Sequence, residues 1–230
     1  IRDWSSRAPY TGVFLDNSRP LGDYGPIHNP AGLPLTGWKL DWTMLVGPNK
    51  VVAYNLGLNQ FFDTVRGQFP HLIYNGIGRR DWMPLTNPRN LELLMHAEGA
   101  MNEGFCFDRS GTVDVLYPQE DMIADIAIMR SAADAGKMML QKVIHGMAPA
   151  KARFCLGSFL LGHSVGRTFF KYGPDYRERE IGSDPPEVAV DFGIPLAEYS
   201  ELETVGTADG GVGSLFGREF ERGLVLVNMA

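Results

Sequence analysis

A chain of 230 residues with 44% hydrophobic and 21% charged side chains has the composition of a folded globular protein, not of a disordered one. Its formal net charge of −6 leaves no basic field for a phosphate backbone, which sets nucleic acid aside as a partner. No apolar run approaches the roughly 20 residues of a membrane span. Cys106 and Cys155 read as buried free thiols, and with His28, His71, His96, His145 and His163 they fall in no metal-ligand pattern, so no metal is expected.

The chain opens on Ile1 and reaches an apparent core strand within about a dozen residues. It reads as a piece of a longer protein, with any targeting segment upstream. Residues 1–10 fit the end of a helix and a short loop. The run Thr11-Gly12-Val13-Phe14-Leu15-Asp16-Asn17 is a short apolar strand over 12–16 that ends in polar residues, the pattern of a buried parallel strand. A long segment over 17–47 is rich in Pro and Gly, which predicts a loop, and Tyr24, Trp38 and Trp42 argue that it is ordered.

From Pro48 to about Gln68 apolar residues recur at helical spacing, with Pro70 as the stop. A second strand follows at 71–76, a helix at about 88–98, a third strand at about 100–107 and a helix at 119–135. A fourth strand is expected at 137–144, a helix at 150–161 and a fifth strand at 167–172. Strands two to five recur every roughly 30–37 residues, the pitch of βα units with a crossover helix. Such units build a doubly wound sheet or a (β/α)8 barrel. No GxGxxG stands at a strand-to-helix turn, so no dinucleotide cofactor is expected. After a polar, Pro-rich linker over 175–187, the segment 188–230 changes character. Phe192–Leu196, Ser214–Phe220 and Leu224–Asn228 are short β-like pieces, the last two joined as a hairpin through Glu221-Arg222-Gly223.

Two acids, Asp16 and Glu103, stand at corresponding places on different strands. Where strand ends converge on one face, such a pair is what glycoside hydrolysis needs: one carboxylate as nucleophile or base, the other as proton donor. The plainer alternatives are that Asp16 caps a turn and that Glu103 pairs with Arg79, Arg80 or Lys142. Trp38, Trp42, Trp82 and Tyr172 have the flat faces on which sugars stack, although they fit a core rim equally well. Asn17, Asn75 and Asn102 offer hydrogen bonds to hydroxyls, and Asp41 and Asp108 are further acids able to take either role. Ser158 and His163 do not make a serine hydrolase: Gly-x-Ser-x-Gly is absent, and Ser158 falls inside an apolar helical pattern.

With these residues in hand, the chain resembles the carboxyl-terminal part of a family of TIM-barrel glycoside hydrolases within the α-galactosidase-like superfamily, relatives of the endo-α-1,4-polygalactosaminidase-like proteins. The matching pieces are Thr11–Asn17, Met101–Phe105 (containing NEGF), Phe169–Gly173 (FFKYG) and Arg218–Asn228 (REFERGLVLVN). The family's strand-four motif has an acid before its glycine, where Thr11 stands here. The resemblance implies that residues 1–174 are about strands four to eight of a (β/α)8 barrel, with 188–230 a small antiparallel β unit. It implies a secreted or extracellular enzyme acting on an oligo- or polysaccharide, with Asp16 as nucleophile and Glu103 as acid/base. A non-catalytic carbohydrate-binding or cell-envelope protein on a degenerate barrel is the alternative. The two are divided by whether both carboxyl groups face one place.

Overall fold

The computed structural model describes residues 11–16, 18, 48–77, 89–108, 115–144, 149–173, 186–206 and 210–229. In chain order these carry β1 (Gly12–Leu15), α1 (Pro48–Arg66), β2 (His71–Asn75), α2 (Arg89–Met95), β3 (Gly99–Asn102), β4 (Phe107–Asp108) and β5 (Val115–Leu116). Then come α3 (Gln119–Asp134), β6 (Met138–Ile144), α4 (Pro149–Gly162), β7 (Thr168–Gly173), a single 3₁₀ turn (Pro186–Ala189), β8 (Ser200–Gly206), β9 (Val212–Phe220) and β10 (Gly223–Asn228). The residues of the expected 17–47 loop, Ser18 and Pro48 onward excepted, lie outside those described, as do residues 1–10 and 175–185 of the expected linker.

The main layer is one sheet in the order β1-β2-β3-β6-β7, with every neighbouring pair parallel. The order follows the chain without reversal, unlike a doubly wound sheet, so right-handed crossovers lay the helices along one side. The packing agrees, since α2 lies against α3 and α3 against α4. Burial alternates along the strands. Leu72 and Tyr74, Met139 and Val143, and Thr168 and Tyr172 are buried toward the helices. Phe62 of α1 meets Tyr74 edge-on at 5.3 Å, and Phe159 of α4 meets Phe170 of β7 at 5.3 Å.

The third strand is shorter than the expected 100–107. It ends at Asn102, and residues 103–106 form a turn in which Cys106 adopts φ +74. Phe107–Asp108 then pairs antiparallel with Val115–Leu116 as a separate two-residue ribbon.

The tail is a three-stranded antiparallel sheet, β10-β9-β8. Phe220 pairs with Gly223 across the expected hairpin, and Val225 and Val227 are buried while Leu224 and Leu226 face out. β8 was not expected, whereas Phe192–Leu196 contributes only an isolated bridge from Pro195 to Phe220. This sheet packs on α4, whose other side faces β7. A helix enclosed from two sides has no need of a polar face. That explains the nearly continuous apolar run of α4, and it leaves Cys155 and Ser158 fully buried.

Candidate functional site

Parallel strands direct their carboxyl ends to one edge of the sheet, and a two-residue period decides which side chains stand on the face away from the helices. On that face an inner layer is apolar: Phe14, Ile73, Met101, Leu140 and Phe169. The next positions toward the carboxyl ends are charged or polar: Asp16, Asn75, Glu103, Lys142 and Lys171. The register brings neighbours together, with Leu15 beside Tyr74, Asn75 beside Met101, Met101 beside Leu140, and Lys142 beside Lys171.

Asn75 is the centre of this row. Its side chain is 1% exposed, and its Nδ2 donates to Asp16 Oδ1 at 2.8 Å and to Glu103 Oε2 at 2.9 Å. Both oxygens accept from the same nitrogen, so the two carboxylates meet at one amide. Glu103 is 6% exposed and also accepts from Lys142 Nζ at 3.4 Å, while Asp16 is exposed. Of the cations weighed as partners for Glu103, Lys142 is in place; Arg79 and Arg80 lie outside the described residues. Glu103 therefore accepts from two side-chain donors, Asn75 and Lys142.

Two expected substrate contacts lie on the wrong side of the sheet. Asn102 points toward the helices, where its Nδ2 donates to the buried Asp125 of α3 at 3.1 Å. Its Oδ1 accepts from Gly104 N at 3.2 Å, so it holds the turn that carries Glu103. Tyr172 is buried in the core cluster, one residue out of phase with Lys171. Asn17, Trp38, Trp42 and Trp82, together with the spare acid Asp41, lie outside the described residues. Asp108 sits in the β4–β5 ribbon.

Two residues of the row, Lys142 and Lys171, were not among the expected site residues. The signal was present: each is the single charged residue of an otherwise uncharged strand, MMLQKVI and TFFKYG. The arrangement as a whole brings two carboxylates together on one amide nitrogen, with Lys142 on the Glu103 carboxylate. No family model and no curated protein matches the chain.

Proposed function

We propose that the protein is a glycoside hydrolase whose parallel sheet is part of a (β/α)8 barrel, about strands four to eight. The barrel reading is supported by the unreversed strand order and by the apolar inner layer. Phe14 and Phe169, on the two outermost strands, are 48% and 47% exposed, as barrel-interior residues of an open sheet would be.

The observation that carries the catalytic reading is the Asn75 bridge between Asp16 and Glu103. Two carboxylates bonded to one amide nitrogen suit a retaining enzyme, for which the carboxyl groups stand about 5–5.5 Å apart, better than an inverting one, for which they stand about 6.5–9.5 Å apart. Asp16 attacks the anomeric carbon, forming a C–O bond as the bond to the leaving oxygen breaks and Glu103 delivers a proton to that oxygen. Glu103 then takes a proton from water, which attacks the same carbon, releases the sugar and returns Asp16 to a carboxylate. Asn75 fixes the two carboxylates relative to each other. A sugar-binding protein without turnover needs no such pairing.

The test is hydrolysis of oligosaccharides by the purified protein and its variants. Glu103→Gln should lower turnover by about 10²–10⁴-fold, and Asp16→Asn should abolish the covalent step, with unchanged circular dichroism in both. Undiminished hydrolysis in either variant would remove the assignment, as would a product released with inverted anomeric configuration.

A further inference from the structure

We propose that Asp125 and Asn102 are positioning residues for Glu103, acting from the helix side of the sheet to fix where its carboxyl group stands. The consequence for turnover rests on the glycosidase reading; the geometry does not. Asn102 closes β3, and its Oδ1 accepts from Gly104 N at 3.2 Å. A side-chain oxygen bonded to the N–H two residues on makes an Asx turn, which mimics a backbone turn. Glu103 is the middle residue of that turn, so the bond sets the backbone from which its side chain leaves. The segment ends at Cys106 with φ +74, a conformation that residues other than glycine rarely adopt. Strain of this kind persists only where the surroundings over-determine it.

Asp125 decides which way the amide points. Asn102 and Asp125 are both buried, the acid at 1% exposure, and Asn102 Nδ2 donates to Asp125 Oδ2 at 3.1 Å. The carboxylate accepts and the backbone N–H of Gly104 donates, so only one orientation of the amide satisfies both. Turned over, it would set its NH2 against an N–H and its oxygen against a carboxylate. The acid therefore locks the acceptor into the turn. Its place in the core argues in the same sense. Asp125 stands on the buried face of α3 with Met122, Ile126 and Met129. Desolvating a carboxylate is costly, and apolar residues of similar size often serve stability as well or better. The bond to Asn102 gives this acid a reason to be there that packing does not. From the open face, Asn75 and Lys142 hold the Glu103 carboxylate itself. Glu103 is thus fixed at its backbone from one side of the sheet and at its oxygens from the other.

The experiment uses two double variants of the whole chain. Asn102→Ala/Asp125→Leu removes both partners and refills their space, a change that can be nearly neutral for stability. Asn102→Asp/Asp125→Asn exchanges them, so that the carboxylate at 102 accepts from Gly104 N and from the amide at 125. The first readout is the pair of Asn75 side-chain N–H protons in ¹⁵N-correlated NMR, one donated to Asp16 and one to Glu103. In the first variant the proton on Glu103 should move upfield while that on Asp16 holds, and the exchange should return it. The second readout is kcat/KM on α- and β-galactosides and glucosides, each with a sugar or a 2,4-dinitrophenyl leaving group. Dinitrophenolate departs without a proton, so a displaced acid penalises only the sugar leaving group. In the first variant cleavage of the sugar leaving group should fall about 10–100-fold, with the dinitrophenyl glycoside within about twofold of the parent. The exchange should restore the parent ratio. Equal losses on both substrates, an unmoved Glu103 proton, or an exchange that recovers neither readout overturns the proposal and leaves the glycosidase reading standing. If no glycoside is cleaved, that reading fails and the Asn75 protons alone decide the positioning. Should the first variant not fold, the smaller Asn102→Ala/Asp125→Val takes its place.

Discussion

Arg218 shows how much one side chain can carry. It is buried on β9, and its guanidinium donates to four carbonyl oxygens: Leu160, Leu161 and His163 at the end of α4, and Ala197 in the segment before β8. A cation at a helix carboxyl terminus is favoured by the exposed carbonyl dipoles. Burial, followed by the charge of Arg130, brings its pKa down to about 10. Replacing it with Met keeps the volume but orphans the carbonyls, at a cost of about 3 kcal/mol in urea unfolding. Arg218→Lys should recover little, because one ammonium cannot span a fork that reaches two segments. Beside it, burial first and Arg218 second lower the pKa of His163, whose Nδ1 lies 2.8 Å from Thr168 Oγ1. The unfolded chain then takes up the proton first as pH falls. The contribution of His163 is complete above its ordinary value of 6.5 and is lost as pH drops toward the depressed native value. The urea midpoint should fall between about pH 7.5 and 5.5, and His163→Gln should remove part of that fall; an identical slope in the variant would refute the linkage.

At the scale of elements, the close approach of β3 to β6 depends on Gly99. A Cβ there would stand 2.6 Å from the Met138 carbonyl oxygen and 2.8 Å from its Cβ, and backbone cannot yield as a side-chain tip can. Gly99→Ala should destabilise the protein by about 2 kcal/mol or more and appear largely in inclusion bodies. A variant as soluble and stable as the parent would mean that the strands can part. Most elements were legible because each has a sufficient local cause. Apolar residues at helical spacing set α1, short apolar runs set the parallel strands, and Val225 and Val227 alternate with Leu224 and Leu226 in β10. The candidate site was legible to the extent that two carboxylates at corresponding strand ends drew Asp16 and Glu103 together, and both accept from Asn75. Phase was the harder matter. The charge of Lys171 already fixes which face of β7 is open, and so places Tyr172 in the core, but Asn102 and Glu103 are both polar and do not declare their sides. β8 escaped because its Leu202 faces outward and rests on Gly217, so that the strand shows no apolar alternation.

Taken as a whole molecule, the described residues share one core, in which the small antiparallel sheet packs beside the α/β part. Phe216, Phe220, Val225, Val227 and Met229 belong to the same cluster as Leu161, Met139 and Tyr74. The junction is α4. Gly157 lets Val227 come so near that a Cβ on the glycine would be 3.0 Å from Val227 Cγ2. On the antiparallel side Gln119 at the start of α3 exchanges hydrogen bonds with Ser214, and Arg218 ties β9 to the far end of α4. A sheet fastened at both ends of the helix layer cannot leave without exposing one side of α4, which has few polar groups to meet water. Unfolding should therefore be a single transition. Val227→Ala removes buried methyl groups at the junction and should cost about 2 kcal/mol. In native-state hydrogen exchange that loss should appear in the slowest amides of β6 and β7 as fully as in those of β9 and β10. Loss of protection confined to β8–β10, or two separate urea transitions, would establish two cores. Equal loss on both sides of α4 would make the antiparallel sheet part of the scaffold that holds Lys142 and Lys171 in line with the carboxylate pair.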